Sequence, residues 1–245
     1  MTLKRQNKIL KVLIGVSSMS LLFYTVTIII HTSFYTVLQA DDFSHALSVG
    51  VFNVNFYKYF VASLRYAKKM YMTWQGTYFS MFIQALLSPL NNFGLSQLRV
   101  VMVLNALLFS VVFFLLIWET SKEILLSDKY FRMFICACVI IPFLGFRTYT
   151  EIFFWFSGAA SYSMPLICLF VSFICLLYAN RKKKNIIFII LSVFCGLCAM
   201  GGVIGSRRYR MLCNASLDIN EVCAYSKSFG NKYNLLLYVF GRCII

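Results

Sequence analysis

The chain is poor in charge and poorer still in acid. Of its 245 residues 13% are charged, eight are Asp or Glu and two are His. A soluble domain carries about a quarter charged residues. The deficit excludes a disordered chain, a coiled coil and most soluble enzymes. The sequence also lacks a P-loop, a Rossmann glycine pattern and a Gly-x-Ser-x-Gly elbow, so the common nucleotide and hydrolase signatures are missing. What is present instead is apolar and basic. Hydrophobic residues make up 60%, Phe alone numbers 25, and 23 Lys and Arg leave a net charge of +15. That balance fits an integral membrane protein whose spans have basic flanks. The basic charge is spread over those flanks, so nucleic-acid binding is not implied.

The long apolar runs predict an all-α, polytopic transmembrane bundle over 1–204 with about five spans. They lie near 12–30, 100–118, 131–147, 163–179 and 186–204. Val12–Ile30 is 19 uncharged residues, enough to cross a hydrocarbon core of about 30 Å. It exceeds a signal-peptide core, and Leu38-Gln39-Ala40 is a poor cleavage site, so it reads as an uncleaved anchor. Val100–Trp118 is equally long. Met133–Phe146, between Arg132 and Arg147, has 14 residues and needs thinned lipid or snorkelling arginines. Pro165 suits a first helical turn, and Arg181-Lys182-Lys183-Lys184 stops the fourth span.

Lys and Arg in short loops favour the cytoplasmic side. By that rule the N-terminus and the 119–132 and 180–184 loops are cytoplasmic, in a multi-pass cell-membrane protein. The 31–99 loop is external. Residues 205–245 break the pattern: they should be external, yet hold six Lys and Arg and show no helical periodicity. A nucleotide run encoding Gly205–Ala215, shifted by one base, has apolar readings. The tail is therefore expected to be a frameshifted end.

With acids so scarce, their positions are informative. Glu119, Glu123 and Asp128 fall in a loop beside Lys122 and Lys129 and read as solvated. Asp41, Asp42 and Glu151 fall outside, each soon after an apolar helix. Carboxylates at a membrane face are costly without a partner or a role. Paired acids can bind a divalent cation, act as a general base, or form a turn that caps the next helix. His31 and His45 bracket the pair and add weak metal-ligand character.

The external loop has internal order. On a wheel, Phe56, Phe60, Leu64, Ala67 and Tyr71 share a face, and Lys58, Arg65, Lys68 and Lys69 oppose it. This is an interfacial amphipathic helix whose cations sit at headgroup level. Trp74-Gln75-Gly76 follows, then the apolar Tyr78–Leu90, too short to span. Trp155–Tyr162 combines interface aromatics with small packing residues. The cysteines lie mostly inside spans; Cys195 and Cys198 read as packing residues rather than a redox or zinc pair.

These features together resemble one family. An anchor helix leads to Asp41-Asp42-Phe43; Trp74-Gln75-Gly76 follows in a long loop; Glu151 precedes Trp155-x-x-Gly158-x-x-x-Tyr162. The arrangement resembles the bacterial GT-C membrane glycosyltransferases, nearest the uncharacterised relatives of O-antigen glucosyltransferases, over residues 1–204. Thr77 stands where such relatives usually carry Arg, and five helices correspond to the N-terminal half of their fold. The resemblance implies transfer of a sugar from a polyprenyl-phosphate donor to a cell-surface glycan acceptor at the outer face. Asp41 or Asp42 would be the base or would position the donor. On chemical grounds Arg65, Lys68 and Lys69 would hold phosphate, Trp74 and Trp155 would stack on sugar rings, and Glu151 would contact sugar or acceptor. The alternatives are a non-catalytic membrane component of a surface-polysaccharide system and an inactive fragment.

Overall fold

The computed structural model describes residues 3–49, 55–73, 76–90, 95–124, 128–145, 149–181 and 185–202. Every regular element among them is helical. The helices are α1 (Leu3–Ser33), α2 (Ala40–Val49), α3 (Phe56–Thr73), α4 (Tyr78–Leu86), α5 (Leu95–Ile124) and α6 (Lys129–Gly145). Then come α7 (Tyr149–Phe153), α8 (Phe156–Gly158), a π-helix (Ala159–Ser163), α9 (Met164–Arg181) and α10 (Ile186–Met200). The all-α expectation holds. Residues 203–245 lie outside the described residues, and with them the frameshifted-end reading.

Among the described residues three helical stretches are long and apolar enough to cross a membrane: Gln6–Ser33, Gln97–Lys122 and Phe156–Arg181. The last is one rod made of α8, the π-helix and α9. It starts nine residues before Pro165, where the sequence placed the span, because Gly158-Ala159-Ala160 continues the helix instead of forming a separate packing element. α6 and α10 are shorter. At 17 and 15 residues they are about 25 and 22 Å long at 1.5 Å per residue.

All five helices pack as one bundle, α1 on α6 and α5, α5 on α6 and α9, α9 on α10. The core brings Leu22 and Ile29 of α1 against Phe109 and Phe113 of α5, Ile140 and Leu144 of α6, and Ile167 of α9. Phe109 is the hub. Its ring stacks on Phe143 at 5.9 Å and meets Phe153 edge-on at 5.2 Å. Between lipid-facing helices such packing, not water exclusion, supplies cohesion. A serine clasp joins α9 to α10: Ser172 Oγ donates to the Ser192 carbonyl at 2.9 Å, and Ser192 Oγ to the Ser172 carbonyl at 3.0 Å.

The two ends of the bundle differ. One gathers the start of α1, the end of α5, the start of α6 and the end of α9. There Lys11 Nζ bonds Asp128 at 2.9 Å, and buried Glu119 takes Lys122 at 2.6 Å together with Arg181. The other end is covered by α2, α3, α4 and α7. Gly76, at φ 70°, makes the left-handed turn from α3 to α4, a conformation that costs side-chain-bearing residues energy. Phe79 and Ser80, at the start of α4, both donate backbone N–H groups to the Gly201 carbonyl just past α10, at 3.1 and 3.2 Å. Two of the first-turn donors that a helix leaves unpaired are thereby satisfied by another helix's end.

Candidate functional site

Asp41 and Asp42 occupy the first turn of α2, where carboxylates favour the positive end of the helix. Their environments are opposite. Asp41 is exposed, and Asp42 is only 3% exposed. One Asp42 oxygen, Oδ2, accepts the Gln39 backbone N–H at 2.9 Å. This is the reach-back half of a capping box, with the acid three residues into the helix and Gln39 at the cap. The other oxygen, Oδ1, accepts the Ser157 backbone N–H at 2.9 Å and the Ser157 hydroxyl. The capping reading of the acidic pair therefore holds for Asp42, which also bolts α2 to the start of the long rod.

The bolt continues into α4. Gln84 Nε2 donates to the Ser157 carbonyl at 3.2 Å and to Ser161 Oγ at 2.9 Å. Thr77, Ser80, Gln84 and Ser88 lie three or four residues apart and all are buried. They form a polar stripe against the π-helix, whose extra residue per turn offers Ser161 to Gln84. Thr77 Oγ1, Gln84 Oε1 and Ser88 Oγ have no hydrogen-bond partner among the described residues. Short π segments recur at functional sites.

α3 presents three faces where its wheel predicted two. Its buried residues are Tyr59, Ser63, Tyr66 and Ala67, and the Tyr59 hydroxyl donates to the Ala85 carbonyl of α4. Phe56, Leu64 and Tyr71, on the apolar face that the wheel assigns to an interface, are 71%, 46% and 54% exposed. The buried face is the one whose tyrosine hydroxyls reach partners on α2 and α4. The exposed apolar stripe stays free for an interface, beside exposed Lys58, Arg65, Lys68 and Lys69. Between α3 and α4 lies an open groove of about 410 Å³, walled by Leu64, Tyr71, Tyr78, Phe79 and Phe82 with Lys68 on its border.

His45 lies one turn after Asp41 and joins α2 to α3. Its Nδ1 is 2.6 Å from the Tyr66 hydroxyl. Burial lowers its pKa, and the nearby charges of Asp41 and Asp42 raise it by less. Burial pushes the Tyr66 phenol up to about 12, so it keeps its proton at neutral pH. His31 instead stands against Tyr35, ring centroids 5.4 Å apart. Among the described residues no group of three or more His, Cys, Asp or Glu is placed to hold a metal ion.

Glu151 is exposed in the first turn of α7. Its carbonyl lies beneath Gly158, where a Cβ would come within 2.1 Å of the oxygen. Only glycine permits that approach. Trp155 is half-buried, with its indole N–H enclosed and unpartnered among the described residues. Trp74 lies outside the described residues. Asp41, Asp42, Glu151, Trp155, Arg65, Lys68 and Lys69 all stand on the elements covering one end of the bundle, tied through Asp42–Ser157 and His45–Tyr66.

No family model, curated protein or solved structure matches the chain.

Sequence reasoning missed Ser157, Gln84 and Tyr66. Gln84 had a visible signal, a lone amide in the apolar Tyr78–Leu90 run. Ser157 had none, because its partner lies 115 residues away.

Proposed function

We propose that the chain is a GT-C-like membrane glycosyltransferase, or the N-terminal half of one, using a polyprenyl-phosphate sugar donor and a surface-glycan acceptor. The N-terminus is cytoplasmic in this reading, and the α2–α4 end faces outward in the cell envelope. The observation that carries it is an exposed carboxylate, Asp41, on α2, together with an apolar groove bordered by Lys68 between α3 and α4, the two helices against which α2 packs. An apolar chain with a phosphate head needs a greasy channel with a cation at its mouth, and the exposed Arg65 and Lys69 add charge nearby.

Asp42 has both oxygens engaged, so the base falls to Asp41 and Asp42 becomes its positioning residue. The acceptor hydroxyl gives its proton to the Asp41 carboxylate as its oxygen bonds to the anomeric carbon of the sugar. The bond from that carbon to the phosphate oxygen breaks, and the lipid phosphate leaves with the electron pair. In this reading Glu151 would contact sugar or acceptor, and Trp155 would stack on a sugar ring. A divalent cation would join through Asp41.

The test is the surface-glycan profile of cells carrying Asp41→Asn, with protein level measured in parallel. Loss of a glycan species at normal protein level is expected. An unchanged profile at normal level overturns the enzymatic reading and favours a non-catalytic component or an inactive fragment.

A further inference from the structure

At the opposite end of the bundle some cations have no carboxylate partner among the described side chains. Glu119 is taken by Lys122 and Arg181, and Asp128 by Lys11 and the Tyr130 backbone N–H. Two cations in the first turn of α6 have no carboxylate among the described side chains. Lys129 lies 5.0 Å from the ring of Tyr130. Arg132, one turn on, has its guanidinium carbon 4.5 Å from the centroid of Trp118 on α5, and its Nε is enclosed without a hydrogen-bond partner among the described residues. Lys122 approaches the same indole at 5.9 Å. Lys129 and Arg132 stand one turn apart at the start of α6, a spacing that puts their stems on neighbouring positions of one helix face.

Stacking on Trp118 fixes the plane of the Arg132 guanidinium without using up its outer N–H groups, which prefer a planar, two-pronged anionic oxygen partner. The same two helices also expose apolar side chains: Leu115, Phe131 and Phe134 are 40%, 46% and 39% exposed. A Trp–Arg pair at the end of a lipid-facing helix hairpin belongs at headgroup depth. A free anion would gain nothing from the exposed aromatics, whereas a lipid would lay its acyl chains along them.

We propose that Lys129 and Arg132, braced by Trp118, bind the phosphate of an anionic membrane lipid at the base of the α5–α6 hairpin. This site is independent of the glycosyltransferase reading, which concerns the other end of the molecule. A polybasic contact of this kind is worth about 1 kcal/mol per cation, or about fivefold in affinity.

The experiment is lipid binding to the full chain in neutral detergent, read by native mass spectrometry with phosphatidylglycerol and phosphatidylcholine. Phosphatidylglycerol is expected to bind preferentially. Preference should fall about fivefold in Arg132→Ala and further in the Lys129→Ala/Arg132→Ala pair, while Arg132→Lys keeps part of it. Undiminished preference in the pair overturns the proposal, as does equal displacement by inorganic phosphate at the lipid's concentration. Should the pair fail to fold, the unaltered chain is compared with Trp118→Phe in vesicles with brominated acyl chains. The quenching that disappears with Trp118 must be stronger from brominated phosphatidylglycerol than from brominated phosphatidylcholine. Equal quenching overturns the proposal.

Discussion

Two adjacent aspartates with one sequence context have two physical roles. Asp42 accepts three hydrogen bonds out of contact with water. Hydrogen bonds to a charged group are worth about 1.5–3 kcal/mol each, and donors left behind in a buried site pay a desolvation cost. Asp42→Ala should therefore lower stability by about 3 kcal/mol, read as a drop in the thermal unfolding midpoint in detergent. Asp41→Asn, at an exposed position, should stay within about 0.5 kcal/mol of the parent. Equal midpoints for the parent and Asp42→Ala would contradict the bolt. His45 adds a pH dependence. Its pKa is lowered in the folded protein, so the unfolded chain binds more protons below the ordinary imidazole value of 6.5. The contribution is whole above that value and is lost as pH falls from there towards the lowered value of the folded protein. The protection of α2 and α3 amides against hydrogen exchange, corrected for the intrinsic rate at each pH, should fall below pH ~6.5, and His45→Phe should flatten the profile.

At the scale of elements, glycine at 158 allows the start of the long rod to sit against α7. A Cβ there would overlap the Glu151 carbonyl, a rigid backbone atom that cannot rotate away. Gly158→Ala should cost about 1–3 kcal/mol or more through forced displacement, measurable as a lowered midpoint. The serine clasp is the milder case. Interhelical hydrogen bonds in membranes average about 0.6 kcal/mol, so Ser172→Ala with Ser192→Ala should lose about 1 kcal/mol. Much of this level was legible. Runs of uncharged residues located α1, α5, α6 and α10, since lipid demands an apolar exterior wherever a helix crosses it. The 18-residue amphipathic element was also visible, together with the apolar face it leaves exposed. Its additional buried face was not: α3 buries Tyr59 and Tyr66, whose hydroxyls meet α4 and α2, and a ranking of faces by polarity does not mark such partners. The rod's true start was hidden too, because small residues signal close packing without saying whether a helix runs through them. Asp42–Ser157 belongs to tertiary structure alone: either residue by itself is an ordinary turn-former.

For the whole molecule, the two ends of the bundle differ in how their charges are met. Ion pairs gather at one end, and at the other the exposed carboxylates Asp41 and Glu151 and the exposed cations Lys58, Arg65, Lys68 and Lys69 face solvent. With the N-terminus cytoplasmic, an impermeant thiol reagent on intact cells should label Tyr57→Cys and spare Lys8→Cys, in a background with the native cysteines replaced. Both positions are exposed in the structure. The opposite labelling would invert the proposed orientation and move Asp41 away from any external acceptor.

The Gly201 carbonyl that receives Phe79 and Ser80 has a consequence for how the chain is made. α4 leaves the ribosome more than a hundred residues before its cap exists, and the cap reaches α4 only after α10 has been inserted. The outer layer is thus a late product of biogenesis. A ribosome-stalled chain ending before Leu197, the residue whose carbonyl takes the Tyr78 hydroxyl, would present α3 and α4 as an unlatched hairpin open to proteases and chaperones. The latch on α4 therefore forms only once the end of α10 has been made.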